Sequence, residues 1–382
     1  MDFESLFDIP IDDLHTPCYL TDARLLQKNT ALLKQIQQRT GCKILLAQKA
    51  FSLFSAYPLI RDDLAGTTAS GLFEAKLGRE HFGKEVHVFS PAYTQEDFTQ
   101  LLELCDHIVF NSFGQWKKYR QQVQDATRNI SCGIRINPGY AEVETDLYNP
   151  CISGSRMGVP LEQMEDDFAG LDGIHFHTMC EQNSDVLERT LDHMLPQFDK
   201  WLKRCKWVNF GGGHHITRPD YDVERLVRCI ERVRDTYGVQ VYLEPGEAVA
   251  LNAGYLVATV LDVVHNGIDI AILDASAACH MPDVLEMPYR PHILYSGTAG
   301  EKAYTYRLAG NTCLAGDVIG DYSFDHQLQA GEKLVFCDMA IYSMVKNNTF
   351  NGVPLPDIAL YQNGHIDLVK RFGYADFEGR LS

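Results

Sequence analysis

A lysine closing an apolar run is the first feature of this chain with chemical reach. Lys43 to Phe51 reads KILLAQKAF. Its Ile44-Leu45-Leu46-Ala47 stretch lacks alternation, as in a parallel strand buried on both faces. Lys49 follows at the carboxyl end. A desolvated lysine there has a depressed pKa and attacks a carbonyl as the free amine. The alternative is a lysine that snorkels to solvent. Further on, His177 ends GIHFH, Gly211-Gly212-Gly213 ends WVNFGGG and Glu244 ends VYLE. Each also has an ordinary reading: a hydrogen-bonded core histidine, a turn, a strand end. The glycines lack G-x-G-x-x-G spacing. His214 and His215 are adjacent, so they diverge, and no third metal ligand is evident.

Apolar runs that must position these groups recur at Lys43–Lys49, Leu64–Ala69, Glu85–Pro91, His107–Ser112, Cys132–Pro138, Gly173–Thr178, Trp207–Gly213 and Val239–Gly246. Helical spacing fills intervals such as Leu72–Gly83, Glu96–Leu104 and Asp222–Tyr237. Eight strand–helix units predict a (β/α)8 TIM-like barrel over residues 23–251. A doubly wound open sheet is the alternative, since periodicity does not show closure. After Leu251 strand-like runs continue without long helical patterns, separated by turns such as Asn266-Gly267 and Asn363-Gly364. Residues 252–382, joined by the extended piece within 1–22, are expected to form an all-β domain. The connection from about Gly139 to Asp172 carries Gly154-Ser155-Arg156-Met157-Gly158 and is read as a functional loop.

In a barrel the reactive groups gather at the carboxyl ends of the strands. Those ends carry Lys49, Ser70, Ser90, Asn111, Asn137, His177, the triple glycine and Glu244. A lysine, a carboxylate, an imidazole and glycines open to a phosphate together describe a pyridoxal 5′-phosphate site.

The chain has 382 residues, enough for two domains. Its hydrophobic content of 45% and charged content of 22% are those of a soluble globular protein. A net charge of −17 argues against nucleic acid and anionic membranes and is compatible with a cationic substrate. No apolar run reaches a membrane span, and MDFESLFDIP is no signal peptide. Eleven scattered cysteines without C-x-x-C fit reduced thiols in the cytoplasm, not a zinc site.

The chain resembles the fold type III pyridoxal phosphate decarboxylases, the ornithine/diaminopimelate/arginine decarboxylase group. Within that group it is most similar to the carboxynorspermidine/carboxyspermidine decarboxylase branch. The resemblance rests on TPCYLTDARLLQKN (16–29), KILLAQKAF (43–51), GIHFHTMCEQ (173–182), NFGGGHHIT (209–217), YLEPGEAVAL (242–251), LDASAACHMPDVLEMPYRP (273–291), GNTCLAGDVIGDY (310–322) and IYSMVKNNTFNG (341–352). It implies a barrel plus a β domain, and a homodimer with shared active sites. By the same resemblance Lys49 is the Schiff-base lysine, His177 stacks on the cofactor ring and Glu244 faces the pyridine nitrogen. Gly212, Gly213 and Tyr342 hold the phosphate, and Cys313 enters from the second subunit to protonate the product. Glu247 stands where the wider group carries a phosphate-binding arginine, so it is given to the cationic substrate with Asp283 and Asp274. The ordinary reading of Asp283 is a helix N-cap. Leu314 stands where ornithine enzymes carry aspartate, and Gln48 where leucine is expected. The implied reaction is decarboxylation of carboxynorspermidine or carboxyspermidine in polyamine biosynthesis. The alternatives are a decarboxylase of diaminopimelate, ornithine or lysine, a racemase, and a non-catalytic cofactor-binding relative.

Overall fold

The computed structural model describes Glu4 and residues 7–382. The chain divides into two compact units, one of residues 27–249 and one of residues 1–26 with 250–382.

The first unit is a closed barrel of parallel strands. They run Lys43–Ala47, Gly66–Ala69, Glu85–Phe89, His107–Phe110, Ser131–Asn137, Gly173–His175, Trp207–Asn209 and Gln240–Leu243. Each pairs with the next. Pairing of Tyr242 with Lys43 and of Leu243 with Ile44 joins the last strand to the first. The barrel expectation therefore holds, and the open sheet is excluded.

Interior packing explains two glycines. Trp207, Leu45, Val109 and Tyr242 form a buried cluster inside the barrel. A Cβ on Gly133 would lie 2.2 Å from the Trp207 ring, and one on Gly173 2.1 Å from it. Strands five and six give up side chains where strand seven supplies the largest one. The outer helices follow their caps and apolar stripes. Asn183 caps Ser184–Leu202, which buries Leu187, Leu191, Met194 and Phe198. Asp222 caps Val223–Tyr237, and Gly238 at φ +66° ends it. The connection after strand five adds one short strand, Val159–Pro160, which pairs with that strand.

The second unit is a nine-stranded mixed sheet. Cys18–Asp22 lies between Gly254–Asn266, antiparallel to it, and Asp357–Gln362, parallel to it. Alternation decides the packing. Tyr19, Leu256 and Ala258 enter one core cluster, while Cys18, Leu20, Tyr255 and Val257 enter another. Gly297–Thr298 and Val318–Phe324 pair with each other in this sheet. Short helices also interrupt the sheet, among them Ala277–His280, Asp283–Glu286 and Ser343–Lys346.

Candidate active site

Lys49 follows the first barrel strand, where Ala50 N–H donates to the Ala47 carbonyl at 3.1 Å and turns the chain. The Glu244-Pro245-Gly246 turn closes on the same place. A Cβ on Gly246 would lie 2.5 Å from that of Ala50. Protein atoms crowd Lys49, yet the residue keeps substantial accessible surface. Dense surroundings with access place it on the wall of a recess. Burial, then the Arg135 guanidinium, lower its pKa, against Glu244, Glu247 and Glu74. Those three carboxylates favour the charged amine and oppose the shift.

Glu244 is buried and held from two sides. Asn209 Nδ2 donates to its Oε1 at 2.7 Å, and His175 Nε2 lies 3.3 Å from its Oε2. Burial pushes the carboxyl up, but His175 and the Asn209 amide pull it further down, to about 2. Burial lowers the His175 pKa, and the Glu244 carboxylate opposes that shift. Asn209 extends the linkage, because its Oδ1 accepts the Gly211 N–H at 2.9 Å.

The triple glycine is required by close approach. Gly211 and Gly213 have φ of +69° and +81°. A Cβ on Gly211 would lie 2.5 Å from the Phe176 carbonyl oxygen, and one on Gly213 2.0 Å from that of Met179. Gly212 N–H donates to His177 Nδ1 at 2.9 Å. That bond puts the His177 proton on Nε2. Burial, then Lys49 and Arg135, keep this ring neutral. The Gly212 amide is thus bonded to a side chain just past the end of the preceding strand. Arg135 donates to the His177 carbonyl at 3.3 Å, while its buried Nε has no protein partner.

Sequence reading missed Arg135, His175 and Asn209. Two of them left signals. His175 shares a strand face with His177 by the period of two, and Arg135 is a charge inside an apolar strand. Gln48 now has an account. Its Nε2 donates to the Glu74 carbonyl at 2.5 Å and its Oε1 accepts from Tyr57 at 3.0 Å. It pins the helix that carries Glu74. Glu247 opens the helix Glu247–Ala250 and contributes to the field at Lys49.

The opposite strand ends hold Lys43, Glu85, His87 and His107. The His87 and His107 rings stack 3.9 Å apart at 7°, so their in-plane lone pairs do not converge on one ion. Lys43 already pairs with Glu85. The cluster is a charge-paired barrel floor.

The sheet unit carries the remaining candidates. Cys313 is exposed. Tyr342 has φ +54° at the start of Ser343–Lys346, a conformation that β-carbon sterics disfavour. Asp283 is the first residue of its helix rather than the N-cap, and it pairs with Lys346, which also bonds Glu286 at 2.6 Å. Asp274 accepts from Thr16 Oγ1 at 2.6 Å and from Thr259 N–H at 2.7 Å. Each of its oxygens thus already carries one hydrogen bond within the sheet unit.

The family model described as pyridoxal-dependent decarboxylase, C-terminal sheet domain, matches residues 18–340. The chain belongs to the pyridoxal-dependent decarboxylases of the ornithine/diaminopimelate/arginine group. It is 42% identical to the carboxynorspermidine/carboxyspermidine decarboxylase of Campylobacter jejuni, over 97% of this chain and 99% of that one. It is also 42% identical to the carboxyaminopropylagmatine decarboxylase of Synechocystis, over 97% and 96%. The solved structure of carboxynorspermidine decarboxylase with norspermidine from Campylobacter jejuni superposes with a TM-score of 0.90 at 40% identity, covering 96% of this chain and 100% of that chain. The Helicobacter pylori diaminopimelate decarboxylase, with a TM-score of 0.82 at 18% identity, shares the fold. The protein is accordingly a pyridoxal 5′-phosphate-dependent carboxy-lyase.

The barrel mouth fits that cofactor. It offers an accessible lysine of lowered pKa and an anionic carboxylate for a ring nitrogen. The unpartnered Arg135 Nε and Thr178 Oγ1 are further polar atoms near these strand ends. Among the described residues no helix is long and apolar enough to cross a membrane.

Proposed function

We propose that this enzyme decarboxylates carboxynorspermidine and carboxyspermidine in polyamine biosynthesis. The observation that carries the reading is full-length similarity at 42% identity joined to a barrel mouth that retains Lys49, His177 and Glu244. Lys49 would hold the cofactor through its amine, and Glu244 would keep the ring nitrogen protonated. His177 would border the cofactor, while the Gly212–Gly213 turn and Tyr342 would serve its phosphate. When bound, pyridoxal phosphate supplies an electron sink for the bond that loses CO2. Cys313 returns a proton to the substrate carbon. Glu247 and Asp283 receive the ammonium groups of the tail. Asp283 does so by sharing its charge with Lys346.

The enzyme is assigned to the cytoplasm, as a homodimer in which the Cys313 of one protomer completes the site of its partner. Eleven free cysteines support a reducing compartment. The Gly310-Asn311-Thr312-Cys313 motif supports a shared site.

A second reading has one observation behind it, the equal identity to the carboxyaminopropylagmatine enzyme. That substrate ends in a planar guanidinium instead of a compact ammonium, and the two groups ask for different acceptor geometry. The deciding experiment measures kcat/KM for all three carboxylated substrates in competition, with L-ornithine and diaminopimelate as controls. A preference for a carboxylated triamine is expected. Equal turnover of ornithine or diaminopimelate would sink the branch assignment. A strong preference for the guanidinium substrate would select the second reading.

A further inference from the structure

Three motifs far apart in the chain meet in the sheet unit: LDASAACHMPD, GNTCLAGD and the end of IYSMVKNNTFNG. Asp317 lies at the centre and is 3% exposed. Its Oδ2 accepts from Ser276 Oγ at 2.8 Å and from Thr312 Oγ1 at 2.6 Å. Its Oδ1 accepts the Ala278 N–H at 3.2 Å. A Cβ on Gly310 would lie 2.2 Å from Asp317 Oδ2, so the first residue of Gly310-Asn311-Thr312-Cys313 must be glycine. The carboxylate thus fixes the loop up to Thr312.

Cys313 itself is tied elsewhere. Its N–H donates to Asn351 Oδ1 at 2.8 Å. Asn351 has φ +57° and ψ 13°, a left-handed conformation that asparagine tolerates better than most residues. Its own segment is fastened to the same core. Asn348 N–H donates to the Cys279 carbonyl at 2.9 Å, and Asn348 Nδ2 to that of Ala278 at 2.8 Å. Asn348 Oδ1 accepts the Phe350 N–H at 2.9 Å. The ring closes from Asp317 through Ala278, Asn348 and Asn351 to Cys313.

We propose that Asn351 is a positioning residue for the Cys313 thiol, with Asp317 anchoring the loop that carries it. This rests on the reading of Cys313 as proton donor. Within the protomer Cys313 and its neighbours Leu314, Ala315 and Gly316 are all exposed, so packing inside the protomer does not place the thiol. A hydrogen bond to the backbone of the cysteine does. Proton transfer requires the donor within hydrogen-bond reach of the reacting carbon, and small displacements are costly.

Placement has a readout of its own. Loss of CO2 leaves one electron pair to be protonated. A proton delivered to the substrate carbon yields the amine product. A proton delivered to the cofactor's former aldehyde carbon yields, after water adds, an aldehyde and pyridoxamine 5′-phosphate. Both outcomes release one CO2, but only the first releases the amine. The ratio of CO2 to amine therefore reports the thiol's position and not the rate.

The test compares full-length holoenzymes carrying Asn351→Gly, Asn351→Asp or Cys313→Ala with the wild type. Glycine keeps the left-handed backbone and removes the acceptor; aspartate keeps both. The ratio is expected near one for wild type and Asn351→Asp. In Asn351→Gly the misprotonated fraction rises about two- to tenfold, the worth of one hydrogen bond. Iodoacetamide labelling of cofactor-free protein, read by mass spectrometry, follows the exposed Cys313 among mostly buried cysteines. Its rate is expected to shift by a similar factor in Asn351→Gly. An unchanged ratio in Asn351→Gly, or a ratio equally raised in Asn351→Asp, overturns the positioning role. If Cys313→Ala keeps a ratio of one, the proton-donor reading itself fails, which is a separate result.

Discussion

Asn209 donates its side-chain amide to Glu244 Oε1 at 2.7 Å while its own oxygen holds the Gly211 N–H at 2.9 Å. One side chain thereby sets both the carboxylate and the first glycine of the turn. A hydrogen bond to a charged group contributes roughly 1.5–3 kcal/mol. Asn209→Ala should therefore lower kcat/KM by about ten- to a hundredfold. Without this donor the Glu244 pKa rises, so the acid limb of the pH–rate profile moves to higher pH. An unchanged limb would show that Asn209 does not control the carboxylate.

The same carboxylate makes a stability prediction. Its pKa in the folded protein is about 2, against 4.5 for an ordinary glutamate. The folded value is depressed, so its contribution is complete above about pH 4.5 and is lost as pH falls toward 2. The full effect is on the order of 3 kcal/mol. Urea midpoints of wild type and Glu244→Gln, measured from pH 7 to 3, should converge below pH 4.5. A constant gap across that range would contradict the assignment.

Lys49→Ala should abolish turnover and the visible absorbance of bound cofactor while the circular dichroism spectrum persists. The motivation is the accessible, pKa-lowered amine beside Glu244. Decarboxylation at the wild-type rate in this variant would remove Lys49 from the cofactor site.

Shared sites predict complementation. Lys49 belongs to the barrel unit and Cys313 to the sheet unit. Mixing Lys49→Ala and Cys313→Ala subunits should restore activity, because a mixed dimer has one site with both residues intact. No recovery after subunit exchange, verified by mass spectrometry, would place both groups within one protomer.

Glu247 and Asp283 test the substrate tail. Glu247→Gln and Asp283→Asn should each reduce kcat/KM for the triamine by about ten- to a hundredfold and leave the cofactor spectrum unchanged. Because Asp283 already bonds Lys346, its loss should be the smaller of the two. Cofactor loss in Glu247→Gln with normal triamine kinetics at saturation would assign Glu247 to the phosphate instead.

The eight barrel strands were legible because each is a short apolar run with a local period, and Lys49, His177 and Glu244 stood out as candidates because they end such runs. The resemblance added Cys313 and Tyr342, which no periodicity marks. Closure was not legible. It depends on pairing Tyr242 with Lys43, residues whose separation along the chain leaves no local trace. The support around the site was hidden for the same reason. Asn209 meets Glu244, and Gly212 meets His177, only after strands six, seven and eight lie side by side in one register. The bonds from Thr16 and Thr259 to the Asp274 oxygens likewise exist only once the sheet forms. A chain's sequence determines which side chains alternate, cap and end its elements. Which of them share a proton or a hydrogen bond is decided by lateral neighbours, and those exist only in the folded sheet and barrel.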